Sequence, residues 1–179
     1  MRRPALRDAR VELDTARAHL RPAGPADAAA FEAILRDPTV HEWWQAADPA
    51  ADAAELTGGD EAELAVWAIE TGGDVLGIIQ AAEETEPHYR HASIDIVLAE
   101  HGQGRGLGSD AVRTVARWLI EERGHHRITI DPAAHNARAI AAYAKVGFRP
   151  VGVLRQYEGA LDGSWHDGLL MELLADELR

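Results

Sequence analysis

The sequence predicts an α/β (α+β) fold in which a central mixed sheet is flanked by helices, and three observations support this. Short runs with alternating apolar residues are typical of strands, and longer runs with apolar residues three and four apart are typical of helices. The two kinds of run follow one another in the order β, α, α, β, β, β, α, β, α, β, β. The 179 residues, 46% of them apolar, suit a single domain over residues 1–179, because no Gly- or Ser-rich linker divides them.

The first third of the chain predicts one strand followed by helices. Pro22 and Gly24 end the strand, and Pro25 is a typical first residue of a helix. The elements are a strand over residues 16–21, a helix over 25–36, a second helical segment that begins at Pro38 and carries His41, Glu42, Trp43 and Trp44, and a helix with a loop over 48–63.

The middle of the chain predicts a hairpin and a further strand. Residues 64–70 and 75–82 flank Thr71-Gly72-Gly73-Asp74, a turn sequence typical of hairpins. Residues 83–90 are polar and predict a loop. Residues 91–98 predict a strand with Ile94, Ile96 and Leu98 on one face and Ser93, Asp95 and Val97 on the other.

The last part predicts alternating helices and strands. A helix from Gly106 to Glu122 carries a buried stripe of apolar residues at positions 112, 115, 116 and 119. The remaining elements are a strand over residues 127–131, a helix over 136–146 that Gly147 ends, and two late strands over 148–155 and 168–174.

Charge narrows the classes of partner. The formal charge of −12 disfavours non-specific nucleic-acid binding and docking on anionic membranes, because both depend on Lys and Arg. Residues 27–100 hold 17 acidic and two basic side chains, whereas residues 103–149 hold eight basic and four acidic ones. This division favours one surface for a cationic ligand and another for a phosphate-bearing one, although an acidic surface also serves solubility.

Several chemistries are excluded or unsupported. The absence of cysteine excludes thiolate nucleophiles, disulfides and cysteine-based metal centres. The nine histidines show no spacing typical of a metal site, and no Gly-x-Ser-x-Gly elbow occurs, so we expect neither a metal nor a serine nucleophile. No apolar run approaches the ~18 residues of a membrane span, and the first residues lack the apolar stretch of a signal peptide. We therefore expect a soluble, cytoplasmic protein.

A glycine-rich stretch between a predicted strand and helix is the first motif that carries chemistry. It reads Gln103-Gly104-Arg105-Gly106-Leu107-Gly108. Glycines let backbone N–H groups approach an anion, and the positive end of the helix dipole favours the same charge. The spacing matches neither a P-loop nor the dinucleotide fingerprint. Taken alone, the stretch fits a phosphate-binding loop and an ordinary strand-to-helix turn equally well.

The second motif is the helix that begins at Asn136 and ends at Gly147-Phe148. Asn136, Ile140 and Tyr143 share one face at i, i+4 and i+7. Taken alone, Asn136 is typical of a helix N-cap and Tyr143 of a packed aromatic.

Together the two motifs resemble those of the GNAT superfamily of N-acetyltransferases. The family's acyl-CoA loop, Q/R-x-x-G-x-G/A, is matched by residues 103–108, and its N-x-x-A-x-x-x-Y-x-x-x-G-F motif by residues 136–148. The resemblance covers about residues 16–174. It implies the GNAT acyl-CoA N-acyltransferase fold, with a sheet that splays beside the strand ending near Leu98 and binds acetyl-CoA, the co-substrate, in the gap.

The resemblance also implies residue roles. Tyr143 would lie near the thioether sulfur and protonate the departing CoA thiolate, the backbone of Val97 would position the thioester carbonyl, and Asn136 would sit close to the pantetheine. The pyrophosphate would bind the loop that Gln103 begins, at Gly104, Arg105, Gly106, Gly108 and Ser109. The amine would attack the thioester directly in a ternary complex.

An acetyltransferase needs a base for its amine, and carboxylates that attract a cationic acceptor. Asp95 is the best candidate, because its strand lies beside the expected gap. Asp131, at the end of the next strand, ranks second, and Glu83 with its neighbour Glu84 ranks third. We expect one of Trp43 and Trp44 to line the acceptor site, together with Trp165 and the adjacent Asp167.

The finer resemblance is to the aminoglycoside 6'-N-acetyltransferase-like branch, through Glu42-Trp43-Trp44, Ile94-Asp95 and residues 129–132. It implies a cationic small-molecule amine as acceptor, an aminoglycoside 6'-amine first, and hence antibiotic resistance. Residues 162–168 resemble instead the D-G-x-W-x-D segment of ribosomal-protein alanine N-acetyltransferases. A protein N-terminus is therefore the alternative acceptor, and a catalytically silent acyl-CoA-binding sensor the alternative function. Family members are often dimers, and a homodimer stays open.

Overall fold

An eight-stranded sheet forms the centre of the protein in the computed structural model, which describes residues 5–9 and 11–179. Its strands are β1 (Leu13–Asp14), β2 (His19–Pro22), β3 (Leu64–Thr71), β4 (Asp74–Glu84), β5 (His91–Leu98), β6 (Arg127–Ile130), β7 (Arg149–Gly159) and β8 (Trp165–Leu174). Their order in the sheet is β1-β2-β3-β4-β5-β6-β8-β7. Within the described residues the β5–β6 pair is parallel and the other strand pairs are antiparallel, which confirms the mixed sheet.

Helices cover both faces of this sheet and bury two apolar clusters. The helices are α1 (Ala28–Leu35), α2 (Pro38–His41), α3 (Pro49–Gly58), α4 (Leu107–Glu121) and α5 (Ala137–Val146). One cluster joins α4 and α5 to the sheet and includes Ile94, and the other joins α1 to α3 to the opposite face and includes Val97. The alternation predicted for residues 91–98 is thereby confirmed. None of the helices that the structure describes is long and apolar enough to cross a membrane.

The N-terminal elements differ from the prediction at three places. Residues 15–18 form a turn between β1 and β2, because the Thr15 hydroxyl accepts the N–H groups of Arg17 and Ala18 at 3.1 and 2.8 Å. The strand predicted from residue 16 therefore begins at His19. The helix predicted over residues 25–36 starts as a 3-10 turn over Pro25–Asp27, and the second helical segment ends at His41. The two tryptophans predicted within that segment follow it in a turn instead.

Strands β4, β7 and β8 are longer than predicted. The polar loop predicted over residues 83–90 begins two residues later, because Glu83 and Glu84 pair with Ala92 and His91 and extend β4. β7 and β8 run to Gly159 and from Trp165, beyond the limits predicted at residues 155 and 168.

The contact between β5 and β6 determines where a ligand can enter. The two parallel strands pair at Ala92 with Ile128 and at Ser93 with Thr129, and no further pair follows toward their carboxyl ends. The splay expected beside the strand that ends near Leu98 is therefore present.

Candidate active site

The gap between β5 and β6 opens into two adjoining clefts of about 370 Å³ each. The first, here called the loop cleft, lies against the glycine-rich residues 103–109 and one face of α5. The second, here called the acidic cleft, lies against Asp95, Asp131 and β7. Six residues line both clefts: Trp43, Ile96, Val97, Asn136, Ala139 and Tyr143. The clefts therefore meet at Tyr143.

The glycine-rich loop has the backbone geometry of an anion site. Gly104 and Gly106 have φ angles of +71° and +80°, a conformation that glycine adopts readily, and Gly106 caps the start of α4. In the described part of the chain, no hydrogen bond is donated by the backbone N–H groups of residues 104–109. A Cβ on Gly108 would lie 3.3 Å from Leu98 Cδ1, so the helix start packs closely on β5. Free N–H groups at a helix N-terminus suit a phosphate.

The side chain of Gln103 holds this loop in place. Its Nε2 donates to the Leu98 carbonyl at 2.8 Å and to the Thr39 hydroxyl at 3.1 Å. Asp37 extends the brace, because its carboxylate accepts the N–H groups of Thr39 and Glu100 at 2.9 and 2.8 Å. The amide of Gln103 is therefore committed to the turn between β5 and α4, and the residue lines the loop cleft as part of that turn.

Basic side chains surround the loop cleft. Arg138 and Lys145 line it from α5, and both belong to the basic segment identified in the sequence. Arg17 comes from the turn between β1 and β2, and its Nε would lie 3.5 Å from a Cβ on Gly106. The sequence carried no signal for Arg17, since it is distant in the chain. Arg105, predicted as a ligand residue, directs its guanidinium toward the His101 carbonyl at 3.5 Å.

Tyr143 reaches the junction of the clefts from a well-fixed helix. The Asn136 side chain caps α5 by accepting the Ala139 N–H at 3.0 Å, as its N-cap pattern predicts. Tyr143 is 8% exposed and packs on Phe148, with ring centroids 6.3 Å apart. Burial, together with the negative charges of Asp95 and Asp131, raises the pKa of Tyr143 well above its ordinary value. The phenol is therefore a proton donor over the neutral range.

Asp95 and Asp131 line the acidic cleft together. Ser93 pairs with Thr129, so residues two positions further along each strand lie near one another where the strands diverge. Burial raises the pKa of Asp95, and the charge of Asp131 raises it further, whereas a 3.2 Å hydrogen bond from Gln80 opposes the shift. A carboxylate with a raised pKa is a stronger base than an exposed one.

Two residues of β7 complete the acidic cleft and were missed by the sequence reasoning. The interaction of the Tyr157 hydroxyl with the Asp131 carboxylate, together with burial, raises the pKa of Tyr157 to about 12. Burial raises the pKa of Glu158, and so does the charge of Asp131. The predicted strand ended at residue 155, so no signal placed either residue in the site.

Aromatic rings form one wall of the same cleft. Trp43 and Trp44 both line it, whereas only one was expected. The expectation assumed a helix, in which adjacent residues diverge by 100°, and these two residues follow the helix instead. Trp43 lies 5.2 Å from the His135 ring, which lies 5.8 Å from the His166 ring.

The structure does not bring three of the predicted acceptor residues to a cleft. Among the described residues that line the two clefts, Glu83, Trp165 and Asp167 do not occur. Trp165 is 61% exposed and lies against Gly159, and the Asp167 Oδ1 accepts the Gln156 N–H at 2.7 Å.

Glu83 lies on the opposite face of the sheet from Asp95, because it pairs with Ala92 whereas Asp95 pairs with Gln80. Its carboxylate accepts two hydrogen bonds from Arg123, at 2.9 and 2.8 Å, and one from His125 at 2.7 Å. The polar side chain is thus committed to a buried ion pair. Among the described residues, no group of His, Asp or Glu is arranged to hold a metal ion.

Comparison with known proteins agrees with this geometry. A family model described as an acetyltransferase (GNAT) domain matches residues 17–149. The aminoglycoside N(6')-acetyltransferase type 1 of Klebsiella pneumoniae is 38% identical over 78 residues, which are 43% of this chain and 38% of that enzyme. The [ribosomal protein uS5]-alanine N-acetyltransferase of Escherichia coli (strain K12) is 24% identical over 100 residues, 56% of this chain and 51% of that enzyme. This chain thus spans less than two thirds of the length of either enzyme.

Solved structures share the fold over almost the whole chain. Mycobacterium smegmatis RimJ in complex with CoA-disulfide has a TM-score of 0.82 and 24% identity, covering 99% of this chain and 92% of that one. AAC(6')-Ib in complex with paromomycin and acetyl-CoA has a TM-score of 0.73 and 25% identity, covering 90% and 95%.

Proposed function

Taking as premise that the chain belongs to the GNAT family of acetyltransferases, which the match over residues 17–149 shows, we propose that it acetylates a primary amine of a cationic small molecule with acetyl-CoA. The observation that carries the proposal is the position of Tyr143. Its hydroxyl-bearing side chain lies where a cleft suited to phosphates meets a cleft lined by carboxylates.

The loop cleft fits the phosphate-bearing end of acetyl-CoA. The unpaired N–H groups of residues 104–109 and the N-terminus of α4 would bind the pyrophosphate. Arg138, Lys145 and Arg17 place positive charge around the same cleft, and Arg17 contributes although it is partly neutralised by Asp110 at 3.5 Å. The acetyl thioester would then lie beside Val97 and Tyr143, which line both clefts.

The acidic cleft fits an acceptor with several ammonium groups. Asp95 lies on β5, Asp131 directly follows β6 and Glu158 lies on β7, and the three side chains surround one volume of about 370 Å³. The charge of Asp131 raises the pKa of both other carboxyls, and a bound cation would relieve this repulsion. Trp43 and Tyr157 add faces for sugar packing and for cation–π contact.

The chemistry follows from these positions. Asp95 accepts the proton of the substrate ammonium, and the neutral nitrogen attacks the thioester carbonyl carbon. A backbone group at Val97 stabilises the developing charge on the carbonyl oxygen. The C–S bond breaks, and Tyr143 donates its proton to the sulfur and is reprotonated from the amine nitrogen, which loses its second proton. An ammonium and acetyl-CoA thus become an N-acetyl amine, CoA thiol and one released proton.

The favoured acceptor is an aminoglycoside with a 6'-amine. Two observations support it: the 38% identity to an aminoglycoside N(6')-acetyltransferase, and the three carboxylates of the acidic cleft. The ribosomal-protein enzyme is a more distant relative, at 24% identity, and makes a protein N-terminus the second candidate.

Release of CoA thiol, measured over a panel of amines, tests the proposal. The panel contains a matched pair of aminoglycosides that differ only in a 6'-amine or a 6'-hydroxyl, together with linear polyamines and peptides beginning with Ala or Ser. We expect turnover with the 6'-amine and at least ~10²-fold less with its hydroxyl partner, because the reacting nitrogen is missing. Turnover with peptides alone would contradict the small-molecule acceptor. Tight acetyl-CoA binding without turnover on any amine would identify an acyl-CoA sensor.

A further inference from the structure

We propose that Asp167 is a positioning residue, whose carboxylate holds a bulge in β7 that turns Tyr157 and Glu158 into the acidic cleft. Its kinetic consequences rest on the proposed function, whereas its structural consequence does not. The sequence pattern grouped Asp167 with the acceptor ligands, but its carboxylate contacts the backbone of the neighbouring strand.

The bulge is visible in the register of β7 against β8. Leu154 pairs with Gly168, and the next pair along β7 joins Glu158 to His166. Three residues of β7, numbers 155–157, thus face Asp167 alone. A bulge bends its strand and redirects the side chains that follow it. Strict alternation would put the adjacent residues Tyr157 and Glu158 on opposite faces of the sheet, whereas both line the acidic cleft.

The backbone at the centre of the bulge is strained, and Asp167 compensates for the strain. Gln156 has a φ of +50°, and among the described residues it is the one non-glycine with positive φ. Such a conformation is unfavourable for an L-residue other than Asn or Asp. The Gln156 N–H donates to Asp167 Oδ1 at 2.7 Å, the short distance of a charge-assisted bond. The bond stabilises this conformation, because an extended backbone at residue 156 would direct its N–H away from the Asp167 carboxylate.

Hydrogen bonds join the backbone at Asp167 to residues 132–134, on the other side of the acidic cleft. The Asp167 carbonyl accepts the Ala134 N–H at 2.8 Å, and the Leu169 N–H donates to the Pro132 carbonyl at 2.8 Å. The segment that these bonds hold follows directly from Asp131. Asp167 therefore connects the β7 bulge to the strand end that carries a cleft carboxylate.

The position of the Tyr157 ring is consistent with this role of the bulge. A Cβ on Gly168 would lie 2.9 Å from Tyr157 Cδ1, so the absence of a side chain there lets the ring lie on β8. From this position the phenol reaches Asp131, and Glu158 lines the same cleft. Loss of the Asp167 carboxylate would free the bulge to shift register and would carry both side chains away.

Steady-state kinetics on four variants test this role. We expect Asp167→Ala to raise the KM of the amine about 10-fold or more, in line with loss of a hydrogen bond to a charged group, and to leave the KM of acetyl-CoA within about twofold. Asp167→Asn retains an accepting Oδ1 and should stay within about threefold of wild type. Adding Gln156→Gly to Asp167→Ala should restore most of the affinity, because glycine adopts positive φ without the carboxylate.

Asp162→Ala is the matched control. Asp162 also accepts a backbone N–H, from Ser164 at 2.8 Å, in the turn between β7 and β8, and it does not line either cleft. We expect wild-type KM values for it. If Asp167→Asn is as impaired as Asp167→Ala, Asp167 acts through its charge on the acceptor, and the positioning role is wrong. If glycine at position 156 rescues nothing, the bulge is not the route of the effect.

An amide NMR measurement tests the same role without any substrate. The Gln156 amide proton should be shifted downfield and protected from exchange in the wild type, and both properties should be lost in Asp167→Ala but kept in Asp162→Ala. Loss of these signals in an enzyme that acetylates no tested amine would uphold the bulge while the proposed function fails. An unchanged Gln156 amide in Asp167→Ala would overturn the inference even in an active enzyme.

Discussion

Replacing Glu83 by glutamine should destabilise the fold without weakening acceptor binding. Glu83 has an 8% exposed side chain, and its partners Arg123 and His125 are exposed to 8% and 1%. Burial alone would raise the pKa of Glu83, but hydrogen bonds from His125 and Arg123 lower it to about 2. Glutamine is nearly isosteric and keeps one accepting oxygen, so the substitution removes mainly the charge.

The size of the effect follows from the pKa difference between the unfolded and folded states. A carboxyl whose pKa falls from 4.5 to about 2 on folding stabilises the folded state by about 3 kcal/mol at pH 7. Because the folded pKa is the lower one, this contribution is complete above about pH 5 and is lost as the pH falls toward 2. At pH 3 about 1 kcal/mol remains.

Guanidinium unfolding followed by circular dichroism measures the free energy of unfolding at pH 7 and at pH 3, and a thermal scan measures Tm. We expect Glu83→Gln to lower the free energy of unfolding by about 3 kcal/mol at pH 7, and to lower Tm by roughly 6–12 °C. Glu84→Gln is the control, because Glu84 is the exposed neighbour on the other face of β4, and its effect should stay below about 0.5 kcal/mol. Wild-type stability together with a raised amine KM in Glu83→Gln would refute the reasoning and return Glu83 to the acceptor site.

Four further predictions concern the reaction and the binding of its co-substrate. Tyr143→Phe should lower kcat about 10-fold or more and change acetyl-CoA affinity little, because it removes a proton donor only, and an unchanged kcat would show that the thiolate leaves without that proton. Asp95→Asn should lower kcat/KM for the amine ~10²-fold, as expected for loss of a base. Asp131→Asn should lower the pKa of Asp95, because the nearby charge that raises it is gone. The acidic limb of the pH profile of kcat/KM should therefore move to lower pH. If that limb disappears instead, Asp131 is the base. Gly106→Ala should raise the KM of acetyl-CoA about fivefold, because a φ of +80° costs an alanine roughly 1 kcal/mol, whereas Gly24→Ala, at an open position with φ −152°, should not.

The local sequence pattern was sufficient to predict elements whose structure depends on a few consecutive residues. β5 is covered by helices on both faces, and its alternation placed Ile94 and Asp95 on opposite faces as the structure has them. The glycine-rich loop was found for a similar reason, because its positive φ angles restrict the residue types along the chain itself. Both features are encoded within a few consecutive residues.

Features that depend on contacts between distant segments were missed. The β7 bulge depends on a contact between Gln156 and Asp167, which are eleven residues apart. No residue near Tyr157 in the sequence indicates the bulge. Glu83 was misplaced because the strand was predicted to end at residue 82, two residues too early. Once β4 is extended through that position, the period of two puts Glu83 opposite the Asp95 face.

The brief pairing of β5 with β6 has a consequence for the stability of the molecule. In the described residues, two paired positions join the half of the sheet that carries β1 to β5 to the half that carries β6 to β8, with the packing of α4 on α5 as further support. A molecule seated in the gap contacts both halves and clamps them together. At a concentration 100 times its Kd such a clamp adds about 2.7 kcal/mol to the free energy of unfolding. Because the ligand enters where the sheet is least paired, the stability of the sheet depends on the concentration of the ligand.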